Sequence, residues 1–311
     1  MRCLIVDDVH ESLFPFLEQA GIVADYQHEL DIERIKAFLP EVEGLVVRSK
    51  LKLDRALLTS CSKLKFIGRA GAGLDGLDVQ ACKDLGITVF HAAEGNADAV
   101  AEHSLGFIFS LLNKLGQGKA DVSQGHWDRE GNRGYELADV CIGIIGAGHM
   151  GLALHKKLKA LGANVLVYDV KGTTCEPCGA QFVSLETLHA EADLISLHIP
   201  LTETNRHLVC RSYLSHFTKL KWVVQTSRGE VVKIEDVLSL LKEGKLMGAA
   251  LDVFPNEKPE TWSTEERAIM EQLAQFPNVL MSPHVAGWSY RSYREISRVL
   301  GQKILAYSQS L

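Results

Sequence analysis

Three apolar runs in the second half of the chain end in residues able to move a proton or hold an anion. Trp222–Gln225 leads into Thr226-Ser227-Arg228-Gly229, Gly248–Leu251 into Asp252-Val253-Phe254-Pro255-Asn256-Glu257, and Val279–Met281 into Ser282-Pro283-His284-Val285-Ala286-Gly287. A lone arginine or histidine at a strand end is more often structural or solvated. A cationic fork, two acids and an imidazole at equivalent positions on successive strands point instead to catalysis. Imidazole is the natural base at neutral pH, and Glu257 beside His284 would stabilise its protonated form. Arg228 cannot act as a base; its planar fork suits a carboxylate and the oxygen of the reacting carbon. Together these groups suit proton transfer coupled to hydride transfer at a secondary alcohol, with Asp252 facing the nicotinamide carboxamide.

The hydride partner is signalled upstream. The β-branched run at 140–145 enters Gly146-Ala147-Gly148-His149-Met150-Gly151, and Leu152, Leu158 and Leu161 then recur at helical spacing. Strand, tight turn and helix in that order make G-x-G-x-x-G a dinucleotide signature. Gly146 permits the turn, Gly148 admits a pyrophosphate to the backbone, and Gly151 lets helix and strand pack closely. Asp169, eighteen residues past Gly151, ends the next apolar run, where a carboxylate accepts from a ribose diol and repels a 2′-phosphate. NAD is therefore expected in preference to NADP.

The elements that must position these groups form two α/β lobes. Strand-like runs at 3–6, Val23–Tyr26, Gly44–Val47, Phe66–Arg69 and 88–90 alternate with helical patterns, although Pro15 falls inside the first of these. Beyond the glycine motif, 193–198 and the three runs above read as buried strands of a doubly wound sheet. The stretch 96–115, with its run 99–112, is apolar nearly all round and must be a buried helix, either between lobes or against another subunit. The polar, glycine-rich segment at 116–134 carries Trp127, expected as a buried plug or, alternatively, a subunit contact.

Two strand ends in the first lobe could receive an anion. Arg48, Ser49 and Lys50 offer a guanidinium, a hydroxyl and an ammonium, with a solvated loop as the alternative. The turn at 69–75 holds Gly71 and Gly73 and could present backbone amides, or could simply be a turn.

A net charge of -6 leaves no electrostatic footprint for nucleic acid, and no apolar run approaches membrane length. Seven cysteines without a regular framework suit reduced thiols and a cytoplasmic location. Cys175 and Cys178 have redox or metal spacing, but with no second pair a turn is the simpler reading, and no metal is expected.

These motifs, with His198-Ile199-Pro200-Leu201-Thr202 and 96–102, resemble the D-isomer-specific 2-hydroxyacid dehydrogenase family over nearly the whole chain. The resemblance implies two Rossmann-like or flavodoxin-like doubly wound parallel-sheet domains with a cleft between them. Residues 1–96 plus 288–311 would bind substrate and 97–287 would bind NAD. It implies catalytic Arg228, Glu257 and His284. It further implies cofactor contacts from Gly146, Gly148, His149, Met150, Gly151, Asp169, His198, Pro200, Thr226, Ser227, Asp252, Ala286 and Gly287.

Ala72 and Gly73 would present amides to the substrate carboxylate, and Arg48, Ser49 and Lys50 would lie where members acting on 3-phosphoglycerate hold phosphate. A homodimer through the cofactor lobe is implied as well. Departures from the family pattern are Gln225 in place of Asn, Lys258 inside the usual Glu-Pro pair, Ala138-Asp139 in place of Gly-Lys, and the bulky Trp288-Ser289-Tyr290. With nothing after Leu311, a regulatory serine-binding domain is not expected. The expected substrate is 3-phosphoglycerate. A reductase of glyoxylate, hydroxypyruvate or another small 2-oxo acid is the alternative, and an NAD-sensing corepressor-like binding protein is the reading of another class.

Overall fold

Alternation along each strand explains why nearly every strand position is apolar: successive side chains enter opposite faces of a sheet that is covered on both sides. The computed structural model describes residues 1–172 and 179–310, so the Cys175 and Cys178 pair lies outside the described residues. The chain divides into two units, Met1–Ala97 with Trp288–Leu311, and Asp98–Gly287.

The first unit holds β1 (Arg2–Ile5), β2 (Val23–Tyr26), β3 (Gly44–Val47), β4 (Phe66–Arg69) and β5 (Thr88–His91), all parallel, in the order β2-β1-β3-β4-β5. Leu4, Leu45, Val47 and Ile67 fill one face; Cys3, Ile5, Val46 and Phe66 fill the other. On that second face the helix Tyr290–Ser308 lays Ile296, Leu300 and Ile304. Ser289 opens this helix by a capping box with Ser292. Pro15 does not limit its helix: it stands in the first turn of Phe14–Gln19, where its missing N–H is not needed.

The second unit holds β6 (Cys141–Ile145), β7 (Asn164–Tyr168), β8 (Leu194–Leu197), β9 (Trp222–Gln225), β10 (Gly248–Leu251) and β11 (Val279–Met281), parallel, in the order β11-β10-β9-β8-β6-β7. Phe182 adds one parallel bridge to Val167 outside β7. Counted with that bridge, the strands run 3-2-1-4-5-6-7, the dinucleotide-binding order extended by one. The helix Ala97–Leu112 buries Ala101, Ser104, Ile108 and Leu112 beneath β6, β8 and β9 side chains.

The segment after that helix departs from expectation. Leu115–Ser123 is a helix, and Trp127 is 81% exposed rather than a buried plug. No residue of Leu115–Ser123 is buried, so the stretch leading to the indole offers it no core. Among the described residues no helix is long and apolar enough to cross a membrane.

Candidate active site

In the second sheet the strand order reverses direction between β6 and β8, and the loops leaving these two strands meet there. Gly146 has φ +103°, and a Cβ on it would lie 2.5 Å from the His198 carbonyl oxygen. A Cβ on Gly151 would lie 1.9 Å from the Gly146 oxygen, so strand and helix approach as closely as main chains can. The helix His149–Ala160 begins at Gly148 with no side chain capping its first turn, leaving its N–H groups and positive dipole end available to an anion. A Cβ on Gly148 would meet nothing within 4 Å.

Asp169, just past β7, accepts the N–H of Ala147 at 2.8 Å and of Lys171 at 2.9 Å, which sets a carboxylate beside the glycine turn. The open face at Gly148, the uncapped helix and the neighbouring acid fit a dinucleotide with a free ribose diol. His149 and Met150 stand in the first helical turn, with His149 exposed. His198, past β8, is hydrogen-bonded through Nε2 to Ser196 Oγ at 2.8 Å. Its Nδ1 is buried with no partner among the described residues. Burial pushes its pKa down to about 4, so it stands as a neutral ring. Pro200 follows on the surface.

β9, β10 and β11 are neighbours, and their loops build the second part of the site. His284 Nδ1 lies 2.8 Å from Glu257 Oε2, with both side chains a little under half exposed. A carboxylate can only accept, so Nδ1 carries the proton and Nε2 is left for proton exchange. Burial pushes the Glu257 carboxyl up. The hydrogen bond and charge of His284, the Phe254 amide and the Arg228 charge outweigh that and hold it below its ordinary value. His284 has φ +54°, a left-handed backbone that a non-glycine residue adopts only when its surroundings enforce it.

Asp252 does the enforcing. Its carboxylate is fully buried and accepts the N–H of Val285 and of Ala286, each at 2.9 Å, and the Ser282 hydroxyl at 2.5 Å. Its carbonyl accepts the His284 N–H at 2.7 Å. Both carboxylate oxygens of Asp252, the residue expected at the nicotinamide carboxamide, accept from the loop that carries His284. Gln225 has a similar task in the neighbouring loop. Fully buried, it donates to the Arg228 carbonyl at 2.6 Å and accepts from the Ser227 hydroxyl at 2.9 Å. Arg228 Nη1 donates to the Ser227 carbonyl at 2.7 Å.

Two residues of the helix Ala97–Leu112 that sequence reasoning passed over brace these loops. His103 Nε2 is 3.0 Å from Ser282 Oγ, and Ser104 Oγ is 3.3 Å from Thr226 Oγ1. The available signal was polarity: His103 and Ser104 interrupt an apolar helix, and a buried polar group needs a partner.

In the first unit, the carboxylate of Asp7 accepts the backbone N–H groups of Arg48, Ser49 and Lys50 at 2.6, 3.2 and 3.3 Å. The Lys50 ammonium donates to the carbonyls of His28 and Leu30, so it is turned back onto its own unit. Past β4, Ala70 and Gly71 give their amides to Val47 and Arg69, whereas among the described residues those of Ala72 and Gly73 have no protein acceptor.

Comparison with known proteins supplies an independent measure. Residues 105–286 match the family described as D-isomer specific 2-hydroxyacid dehydrogenase, NAD binding domain. A D-3-phosphoglycerate dehydrogenase of Methanocaldococcus jannaschii is 32% identical over 98% of this chain, which spans 57% of that protein's length. A hydroxypyruvate reductase of Thermotoga maritima is 33% identical over 88% of both chains. Among solved structures, D-lactate dehydrogenase from Aquifex aeolicus complexed with NAD and lactic acid superposes with a TM-score of 0.83 at 27% identity, covering 100% of this chain and 96% of that one.

Proposed function

Because the chain belongs to the D-isomer specific 2-hydroxyacid dehydrogenase family, we propose that it interconverts a D-2-hydroxy acid and its 2-oxo acid with NAD. The observation that carries this reading is the 2.8 Å contact of His284 with Glu257, one strand end away from the Arg228 loop. Bound at the Gly148 helix end, NAD would accept the hydride in oxidation and NADH would supply it in reduction.

In reduction, Arg228 polarises the substrate carbonyl and holds the substrate carboxylate with its guanidinium fork. His284 gives a proton from Nε2 to the oxygen as it gains charge, and Glu257, kept ionised by its surroundings, steadies the imidazole. In oxidation His284 takes the proton back. Asp169 selects the unphosphorylated ribose, while Asp252 and Gln225 hold the two loops in register.

For the substrate, we propose 3-phosphoglycerate, oxidised in serine biosynthesis, with Arg48 receiving the phosphate. The named phosphoglycerate relative and an Arg48 that forms no ion pair among the described residues support this. Hydroxypyruvate is the second reading, because the reductase match extends over 88% of that relative's length. We propose a cytoplasmic homodimer through the second unit, where Leu115, Val122 and Trp127 expose apolar surface.

Steady-state assay with NADH and phosphohydroxypyruvate, hydroxypyruvate, glyoxylate and pyruvate tests the proposal. Turnover of at least one is expected. Absence of turnover with all four, beside retained NADH binding, would refute the enzyme and favour an NAD-binding regulator.

A further inference from the structure

The first unit holds Arg48 in an arrangement that neither strand nor loop requires. Its guanidinium carbon lies 3.7 Å from the centroid of the Trp288 ring, a stacked cation–π contact. Trp288 in turn meets the edge of Tyr293, with centroids 5.2 Å apart and planes at 67°. The Tyr293 hydroxyl donates to Asp8 Oδ2 at 2.9 Å and the Tyr26 hydroxyl to Asp8 Oδ1 at 3.1 Å.

The two acids nearest Arg48 are thereby engaged elsewhere, Asp8 by two phenols and Asp7 by three backbone amides. Among the described residues no carboxylate pairs with the guanidinium. Asp8, Arg48, Trp288 and Tyr293 line one small recess with room for about a single water. Burial lowers the Arg48 pKa against the raising effect of Asp7, Asp8 and Tyr293, and a guanidinium so placed remains a cation at neutral pH. A ring over one face leaves the N–H edge free in its own plane, the geometry that binds an oxyanion through two parallel hydrogen bonds.

We propose that Trp288 is a specificity-determining positioning residue: by stacking on Arg48 it fixes the plane of the guanidinium to receive the second anionic group of a dianionic 2-oxo acid. This rests on the dehydrogenase reading above. A substrate without that second group gains nothing from the stack. Trp288 is 42% exposed, so its replacement removes the stack without opening the core.

The test is steady-state kinetics of the full chain with NADH on phosphohydroxypyruvate, oxaloacetate and hydroxypyruvate. Trp288→Leu should raise KM for phosphohydroxypyruvate about tenfold and change KM for hydroxypyruvate less than about twofold, with kcat on either nearly unmoved. Trp288→Phe, which keeps a ring face, should stay within about threefold of the parent. In an Arg48→Met background Trp288→Leu should add nothing further, because its effect runs through the guanidinium.

A rise confined to phosphohydroxypyruvate assigns phosphate, and one shared with oxaloacetate assigns any second anion; either supports the proposal. Equal changes on all three substrates, or an effect that persists without Arg48, would overturn it. Loss of turnover on every substrate by the parent protein would remove the dehydrogenase reading itself, whereas parental turnover with no Trp288 effect removes this inference alone.

Discussion

Replacing Asp252 by Asn probes whether the loop bearing His284 is held by a buried charge. The carboxylate is fully buried and accepts two backbone N–H groups through different oxygens, plus the Ser282 hydroxyl. An amide of the same shape keeps one oxygen. Whichever way it turns, its NH2 confronts the N–H of Val285 or of Ala286, donor against donor. One hydrogen bond to a charged acceptor is lost, about 1.5–3 kcal/mol, and a buried N–H is left without an acceptor, about 1–3 kcal/mol more. The two partly overlap, and a total near 3–4 kcal/mol follows.

Against a typical stability of about 5–15 kcal/mol the variant still folds, with Tm lowered by roughly 10 °C. The left-handed backbone at His284 has less to enforce it, and a misplacement of about 1 Å costs about a hundredfold in rate. The assay pairs thermal melting by circular dichroism with kcat on the best 2-oxo acid. A Tm within about 2 °C of the parent together with an unchanged kcat would refute the idea that Asp252 holds the catalytic loop.

Gly148→Ala should leave stability within about 0.5 kcal/mol, since φ is −78° and the added carbon meets no protein atom, yet raise Kd for NADH at least about tenfold by obstructing the helix end. Fluorescence titration of NADH beside a urea melt decides it, and unchanged affinity would move the cofactor away from this turn. His198 supplies a pH dependence. Its folded pKa, about 4, lies below the ordinary 6.5, so the unfolded chain binds the proton first. Its contribution to stability is complete above pH 6.5 and is lost as pH falls towards 4. The ring is not wholly sealed from solvent, so the loss is about 2 kcal/mol rather than the full shift. Urea melts across that range should be flatter for His198→Gln than for the parent, and parallel curves would show that His198 is not held neutral.

The strands were legible because a sheet covered on both faces imposes continuous apolar runs, and the glycine turn because strand, turn and helix each leave their own local mark. The contact of His284 with Glu257 was anticipated from residue type and strand-end position alone. What stayed hidden depends on long sequence separation. Nothing near Arg48 announces that Asp7 will take the amides of residues 48–50, or that Trp288 will cover the guanidinium. Equally hidden is that the loop after Asp252 gives it the amides of Val285 and Ala286, because a strand-end position does not show where the following loop folds. Trp127 was read inward because its size suggests burial, while the neighbouring helix leaves no core for it.

The Asp7 carboxylate has a consequence for the division of labour between the two sheets. Both are wound so that a crevice opens where the strand order reverses, between β1 and β3 in one and between β6 and β8 in the other. In the first, three main-chain amides already hold an oxyanion that is part of the polypeptide itself. A tethered internal counter-ion at high effective concentration does not exchange for a nucleotide phosphate. The crevice of the first sheet is therefore occupied by the chain's own carboxylate, whereas the helix end at Gly148 in the second is left uncapped.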